Sequence, residues 1–362
     1  MAIVAIVGAG LMGTATAYPL ADNGHTVRLV GTHLDREIID RCRQQHFHPR
    51  LQRDLPAGLR AYYVEEIAEA LDGAEIIVSG VNSHGVHWIG RTLGPHLRPG
   101  QRIIAVTKGL EAAANGDLVI LPDVLAAELP PAIRGEVSLA AIGGPCIAGE
   151  LAGRRHSCVV FGSRDAEALR VLAGAFSTPY YHIWTTTDLL ALEVGAALKN
   201  ACTLAVGVAE GMLDRAGGVD AAGAHMYNLA AAVFAQGCSE IDRMLELLGA
   251  TRAAALGLPG AGDFYVTAMG GRTVRLGRLL GQGNTYTEAR RIMAGETLES
   301  AEILRTLGAA FPLLTARGLI GPDDFPLLRS LGQAVVADRP IEFPIHEFFR
   351  TPAYTGWLSP LA

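Results

Sequence analysis

Several common signatures are missing from these 362 residues, and each absence removes a class of function. There is no excess of positive charge: Lys+Arg number 30 against 36 Asp+Glu, a net charge of -6. Nonspecific nucleic-acid binding relies on a basic surface, so no nucleic-acid partner is expected. There is no Cys-x-x-Cys pair; Cys42, Cys146, Cys158, Cys202 and Cys238 stand apart and are odd in number. They read as reduced thiols of a cytoplasmic protein. His84 and His87 lie three apart in "HGVH" without an acidic or cysteine neighbour, so no metal site is expected. The apolar opening "MAIVAIVGAG" lacks a basic flank and a cleavage pattern and stops at a glycine turn. It reads as a buried strand rather than a membrane span. Repeats, low-complexity tracts and blocks of like charge are absent too.

What is present is apolar: half the residues are hydrophobic and 18% are charged, a composition that suits a well-buried globular enzyme. The length allows two domains, each with its own core. Short β-rich runs punctuate the N-terminal half at 2–7, 26–30, 60–64, 75–80, 102–107, 137–142, 157–162 and 180–184. Helix-like pieces, such as 65–71 and 116–129, lie between most of them. Apolar strands alternating with helices indicate an α/β, doubly wound Rossmann-type domain with a mostly parallel sheet. From about residue 187 the strand signals stop and helical patterns take over, beginning with a segment that Asp188 is placed to cap. The expectation is therefore a dinucleotide-binding domain over 1–187 and an all-α substrate and catalytic domain over 188–362. The active site is expected between them. The apolar helical half suggests a homodimer.

"VGAGLMG" sets Gly8, Gly10 and Gly13 in a G-x-G-x-x-G pattern after a strand, at the opening of a helix, with a second strand following. Such glycines permit a tight turn, close approach of backbone to a pyrophosphate and tight helix packing. The helix N-terminus, with Leu11 and Met12 between the glycines, offers free N–H groups to the phosphates. Pro19 lies about two turns further on and predicts a bend or an early end. After the second strand the chain reads Val30-Gly31-Thr32-His33, then Asp35 and Arg36. No acid ends the strand to take a ribose 2′-OH, and His33 or Arg36 can meet a 2′-phosphate, so NAD and NADP both stay open.

Four further stretches carry a resemblance: "TKGLE" (107–111), "GGPCIAGELA" (143–152), "EVGAALKNACTLAVGVAEGM" (193–212) and "GAGDFYVTAMGGRTVRLGRLLGQG" (260–283). Together and in this order they resemble the NAD(P)-dependent sn-glycerol-3-phosphate dehydrogenases. The resemblance implies hydride transfer between glycerol 3-phosphate and dihydroxyacetone phosphate with NAD or NADP. It implies Lys199 as the catalytic lysine with Asn200 beside it, Lys108 as a second active-site lysine, and Asp263 as the aspartate of the G-x-G-D motif. It also places the substrate phosphate on Arg272 and Thr273. Cofactor contacts fall to Gly8, Gly10, Leu11, Met12, Gly13, His33, Lys108, Ala148, Arg272 and Glu296.

The residue chemistry agrees. Reducing a ketone puts negative charge on its oxygen and needs a positioned proton donor, which a lysine on an apolar helix can supply. The guanidinium of Arg272 is a planar fork suited to phosphate, Arg275 is a lesser candidate for phosphate or cofactor, and Arg278 is expected to face solvent. Some positions depart from the family pattern: Thr273 replaces an asparagine, Val274 a basic residue, Cys146 a small hydroxyl residue and Asn82 a proline. These leave the chemistry in place and bear on the exact substrate. "GLMG" also resembles the fingerprint of β-hydroxyacid dehydrogenases, an alternative that acts on carboxylates. A cofactor-binding sensor without turnover is a third reading.

Overall fold

The computed structural model describes residues 1–348, and the chain divides into two compact units. The first takes in Met1–Lys108 and Ile120–Leu192; the second takes in Gly109–Val119 and the chain from Glu193 onward. A single cut at 187/188 therefore misses one exchange. The segment Gly109–Val119, from the N-terminal half, belongs to the helical unit. Residues 349–362 of the expected second domain lie outside the described residues.

The first unit is built on a sheet of eight strands among the described residues: β1 (Ile3–Val7), β2 (Thr26–Val30), β3 (Arg60–Tyr62), β4 (Ala74–Ser79), β5 (Arg102–Ala105), β6 (Ser138–Gly143), β7 (Ser157–Ser163) and β8 (Tyr181–Thr186). Their spatial order is β8-β7-β6-β5-β4-β1-β2-β3, all parallel except for the antiparallel β6–β7 pair. The eight runs read from the sequence are these eight strands. Val4, Ile6, Val27, Leu29, Ile76 and Val78 form the buried centre, which explains why the strands read as continuous apolar runs. Chain order reverses direction at β1, between β2 and β4. In register, Val7 lies opposite Val30 on one side and Ser79 on the other. Gly8, Gly31 and Gly80 therefore leave three adjacent strand ends together, at the switch point where such sheets take ligands.

Of the bend or early end expected at Pro19, the chain shows the early end. Helix α1 (Leu11–Ala15) ends at Thr16, and α2 (Ala17–Asp22) restarts with Pro19 in its first turn, where a missing N–H costs nothing. The expected helix over 116–129 is corrected. Residues 118–120 form a strand, and the helix is Leu121–Glu128 with Pro122 in its first turn. Leu118-Val119-Ile120 pairs back on Leu110–Ala112 around Asn115-Gly116, with Gly116 at φ 89.

That hairpin packs on the helical unit. Thr306 donates from its hydroxyl to the Leu110 carbonyl (3.2 Å), and Arg317 reaches both the Asn115 carbonyl and Asp117. The unit's central helix, α3 (Leu189–Arg215), starts with Asp188 accepting from the Ala191 amide at 2.9 Å. It is long and apolar enough to cross a membrane, but 94% of its most apolar window is buried in the protein, so it is a core helix. Around it run α4 (Tyr227–Leu247), α5 (Asp263–Ala268), α6 (Arg272–Gly281), α7 (Glu299–Ala316) and α8 (Pro326–Val336). Helices α3 and α6 meet backbone to backbone. A Cβ on Gly207 would lie 2.2 Å from the Val274 carbonyl oxygen, and one on Gly211 2.0 Å from that of Arg278. In return, a Cβ on Gly277 would meet the Leu204 oxygen at 2.1 Å, and one on Gly281 the Val208 oxygen at 2.2 Å.

Candidate active site

The sheet unit offers a cradle made of backbone. Gly8 has φ 112, and a Cβ there would stand 2.7 Å from both the carbon and the oxygen of the Gly80 carbonyl. A Cβ on Gly13 would lie 2.8 Å from the Gly8 oxygen, whereas Gly10 would meet only one atom, at 3.5 Å. Gly8 and Gly13 are thus required by packing, and Gly10 keeps the outer side of the turn open. Among the described residues no side chain caps α1, so its first amides are not taken by one of them. Two buried side chains hold the turn from behind. Asp35 accepts from the Ala9 amide (3.3 Å) and from the Thr32 amide and hydroxyl (2.9 and 2.8 Å). His48 sits 2.9 Å from the Ala9 carbonyl through Nε2 and accepts the Leu51 amide at Nδ1. Those partners fix the Nε2–H tautomer, and burial pushes the imidazole pKa down, keeping the ring neutral.

Near this turn's strand ends, the His33 ring packs edge-on against Trp88 with centroids 5.6 Å apart. Arg36 pairs with Glu65 and lies over the Tyr63 ring. Lys108 reaches the Gly144 carbonyl at 3.4 Å, and Ala148 opens the short helix Ala148–Ala152. The residues present fit a dinucleotide: a turn held tight by the packing of Gly8 and Gly13 against backbone, an outer side left open at Gly10 with uncapped amides, and, among the described residues, no acid projecting from β2, because Asp35 is turned inward.

The helical unit offers side-chain charge. Lys199 on α3 donates to Asp263 at 3.0 Å and to the Thr267 hydroxyl at 2.7 Å, with the lysine and aspartate side chains only 6% and 4% exposed. Thr267 leans back on Asp263 at 3.4 Å, closing a triangle, and Asn200 is buried beside it in sequence. Asp263 is placed by the turn Leu258–Gly262, where a Cβ on Gly260 would meet the Ala255 oxygen at 2.2 Å. Charges so buried persist only when paired and hydrogen-bonded. Sequence reasoning missed Thr267, although its i+4 spacing from Asp263 on a helix puts both on one face.

Helix α6 begins after Gly270 and Gly271, at φ 153 and 97, and among the described residues no side chain caps it. Each of its three arginines carries a carboxylate. Arg272 is held side-on by Glu299, with Nε to Oε2 at 2.8 Å and Nη2 to Oε1; Arg275 by Glu296 at 2.6 Å; and Arg278 by Asp214. Arg278 is thereby occupied on the outer face, as expected of a solvated position. Glu296 meets Arg275, and Thr273 is buried at the first turn.

Family models match both halves of the chain: the N-terminus of NAD-dependent glycerol-3-phosphate dehydrogenase over residues 3–169 and its C-terminus over 188–342. The NADP(+)-dependent glycerol-3-phosphate dehydrogenase of Archaeoglobus fulgidus is 33% identical over 311 residues, covering 86% of this chain and 89% of that one. The chain belongs to the NAD-dependent glycerol-3-phosphate dehydrogenase family. Within the family, the glycerol-3-phosphate dehydrogenase [NAD(P)+] of Geobacter metallireducens is 30% identical over 341 residues, 93% of each chain. The crystal structure of the Coxiella burnetii glycerol-3-phosphate dehydrogenase shares the fold, with a TM-score of 0.79 at 24% identity over 97% of this chain and 99% of that one. Membership decides against the β-hydroxyacid group suggested by "GLMG".

The family frame also exposes a signal that the sequence offered. Lys108 and Lys199 are the only two lysines in the chain; every other residue among the 30 Lys+Arg is arginine. An ammonium can release its proton within the range of biological catalysis and a guanidinium cannot. The two lysines stand at the two positions that the sequence assigns to the active site.

Proposed function

We propose that this enzyme interconverts sn-glycerol 3-phosphate and dihydroxyacetone phosphate, with NAD or NADP held at residues 8–13. The observation that carries the reading is a buried Lys199, one of two lysines, locked on Asp263 and Thr267. When bound, the dinucleotide supplies the hydride chemistry. Lys199, in its neutral form, takes the proton from the substrate's C2 hydroxyl during oxidation, and as ammonium returns it to the ketone oxygen during reduction. Burial favours loss of that proton and the Asp263 carboxylate favours its retention, so the two environments oppose each other at one nitrogen. Thr267 fixes the direction of Nζ. Asn200 and Lys108 orient substrate oxygens, Ala148 and His33 line the cofactor side, and Glu296 sets Arg275.

Arg272, Thr273 and the uncapped start of α6 take the substrate phosphate, since charge-assisted bonds from guanidinium and backbone N–H groups are the strong phosphate contacts. A screen of NADH and NADPH oxidation with dihydroxyacetone phosphate, dihydroxyacetone and 3-keto acids tests the whole reading. Turnover is expected with the phosphorylated ketone. Turnover of a keto acid alone, or cofactor binding with no turnover on any phosphorylated ketone, refutes it. Arg272→Ala is expected to raise KM for the phosphorylated substrate by the loss of ~2–4 kcal/mol while leaving dihydroxyacetone use unchanged.

A further inference from the structure

The Arg272–Glu299 pair raises a question that the phosphate assignment does not answer. A carboxylate on the anion-gripping arginine either competes with the phosphate or aims the guanidinium at it. The geometry separates the two. Glu299 takes the Nε/Nη2 edge of the fork, with Nε–Oε2 at 2.8 Å and the second bond from Nη2 to Oε1. A guanidinium has a second forked edge, formed by Nη1 and the other proton of Nη2. Among the described residues that edge has no side-chain partner. The arginine side chain is 47% exposed while the carboxylate is 24% exposed, so the pair presents its cationic end outward.

The surroundings favour an anion on that outward end. Arg272 is the first residue of α6, whose opening amides have no side-chain cap. Among the described residues, a Cβ built on Gly270 or Gly271 would meet nothing within 4 Å, so on that side they leave the approach open. Glu299 is itself the first residue of α7, where a carboxylate is stabilised by the helix dipole and is anchored by its own backbone. One turn further along α6, Glu296 grips Arg275, and Arg290 donates to the Glu296 carbonyl at 2.8 Å, so the segment carrying both acids is tied down.

We propose that Glu299 is a positioning residue for substrate recognition: it holds the side-on edge of Arg272 so that the end-on fork is aimed at the substrate phosphate. The proposal rests on the reading of Arg272 as the phosphate anchor. An exposed arginine loses rotamer freedom when it grips a ligand, and a carboxylate that has already fixed the side chain removes that cost from the binding step.

The test is steady-state kinetics and calorimetric binding of glycerol 3-phosphate for the wild type, Glu299→Ala, Glu299→Gln and Arg272→Ala, with glycerol as the substrate lacking phosphate. Glu299→Ala is expected to raise KM and Kd for glycerol 3-phosphate ~5- to 20-fold with kcat within about twofold, because the lost interaction is ground-state positioning. Glycerol use is expected to be unchanged. Glu299→Gln, which keeps one oxygen acceptor of the same shape, is expected to fall between the two and serves as the second variant if the alanine protein does not fold. An unchanged or lower KM in both variants overturns the proposal and makes the carboxylate a competitor. An equal loss with glycerol and glycerol 3-phosphate also overturns it, because the role is then merely structural. If Arg272→Ala itself leaves KM unaltered, the phosphate reading fails instead, and the two failures are told apart.

Discussion

At the glycine turn of the sheet unit, the groups offered to a ligand are backbone amides, braced by a neutral imidazole and an inward carboxylate. At Lys199 and along α6 in the helical unit, the groups are side chains of ionisable type, each held by a carboxylate partner. The first arrangement selects by shape: Gly8 and Gly13 leave no room for a Cβ against the neighbouring backbone, and the proposed pyrophosphate would meet amides on the open side at Gly10 rather than ionised side chains. The second is suited to proton and charge: Lys199 and Asp263 are each the counter-group that burial requires, whereas Arg272 and Arg275 stay about half exposed. A fixed cofactor and a reacting substrate pose these two different problems.

The sharpest test of this contrast is to remove chemistry while keeping charge. Lys199→Arg preserves a cation opposite Asp263 but not a proton that can be surrendered. It is expected to lower kcat by two or more powers of ten, with NADPH fluorescence titration unchanged. Lys199→Met is a poorer test, since leaving Asp263 as an uncompensated buried carboxylate costs roughly 3–5 kcal/mol of stability.

The reverse experiment adds a methyl where only shape matters. Gly8→Ala must place a Cβ 2.7 Å from the Gly80 carbonyl at φ 112. A loss of about 2–4 kcal/mol, read as lower Tm and weaker cofactor binding, is expected. Wild-type cofactor affinity in that variant would contradict the shape argument. Thr267→Val keeps the volume but removes the hydroxyl from the triangle; kcat is expected to fall ~10-fold with little change in KM, since a hydrogen bond to a charged group is worth about 1.5 kcal/mol.

The smallest effect distinguishes the units by pH. Glu240 on α4 is fully buried and accepts from the Leu327 and Leu328 amides (2.7 and 2.9 Å) and from Gln236 (2.7 Å), capping α8 from another helix. Burial outweighs those bonds and pushes its pKa up from 4.5 to about 7. A raised folded-state value means that stability is full below about 4.5 and is lost as pH rises through about 7. His48 runs the other way. Its folded value is lowered from 6.5, so its contribution is full above 6.5 and is lost as pH falls below it. Hydrogen exchange between pH 5 and 8 is expected to speed up with pH, beyond its intrinsic dependence, in peptides of α8 and to slow relative to it in peptides around residues 46–51. Glu240→Gln should abolish only the first trend.

The sequence was most legible where a residue's role depends on near neighbours. The strands follow from apolar runs, the glycine turn from spacing, and the Asp188 cap from its place before an apolar segment. The break before Pro19 follows from its missing N–H. What was not legible depends on contacts far along the chain. Asp35 and His48 reach Ala9 from 26 and 39 residues away, and Glu299 finds Arg272 from 27 away. No local pattern announces such pairs. Two local signals were available and unread: Asn115-Gly116 between apolar flanks, which marks the hairpin, and the near-absence of lysine, which singles out Lys108 and Lys199.

The glycine seam between α3 and α6 sets a limit on how this enzyme can diversify. With hydrogen alone separating each glycine from the facing carbonyl, the two helices can neither close further nor admit a methyl group without parting. The helix bearing Arg272 is therefore a fixed rail relative to the one bearing Lys199. If the reactant spans Lys199 and Arg272 as proposed, one with a carbon more or fewer would have to be accommodated by exchanging side chains at the ends of that rail, because the rail itself has no room to slide.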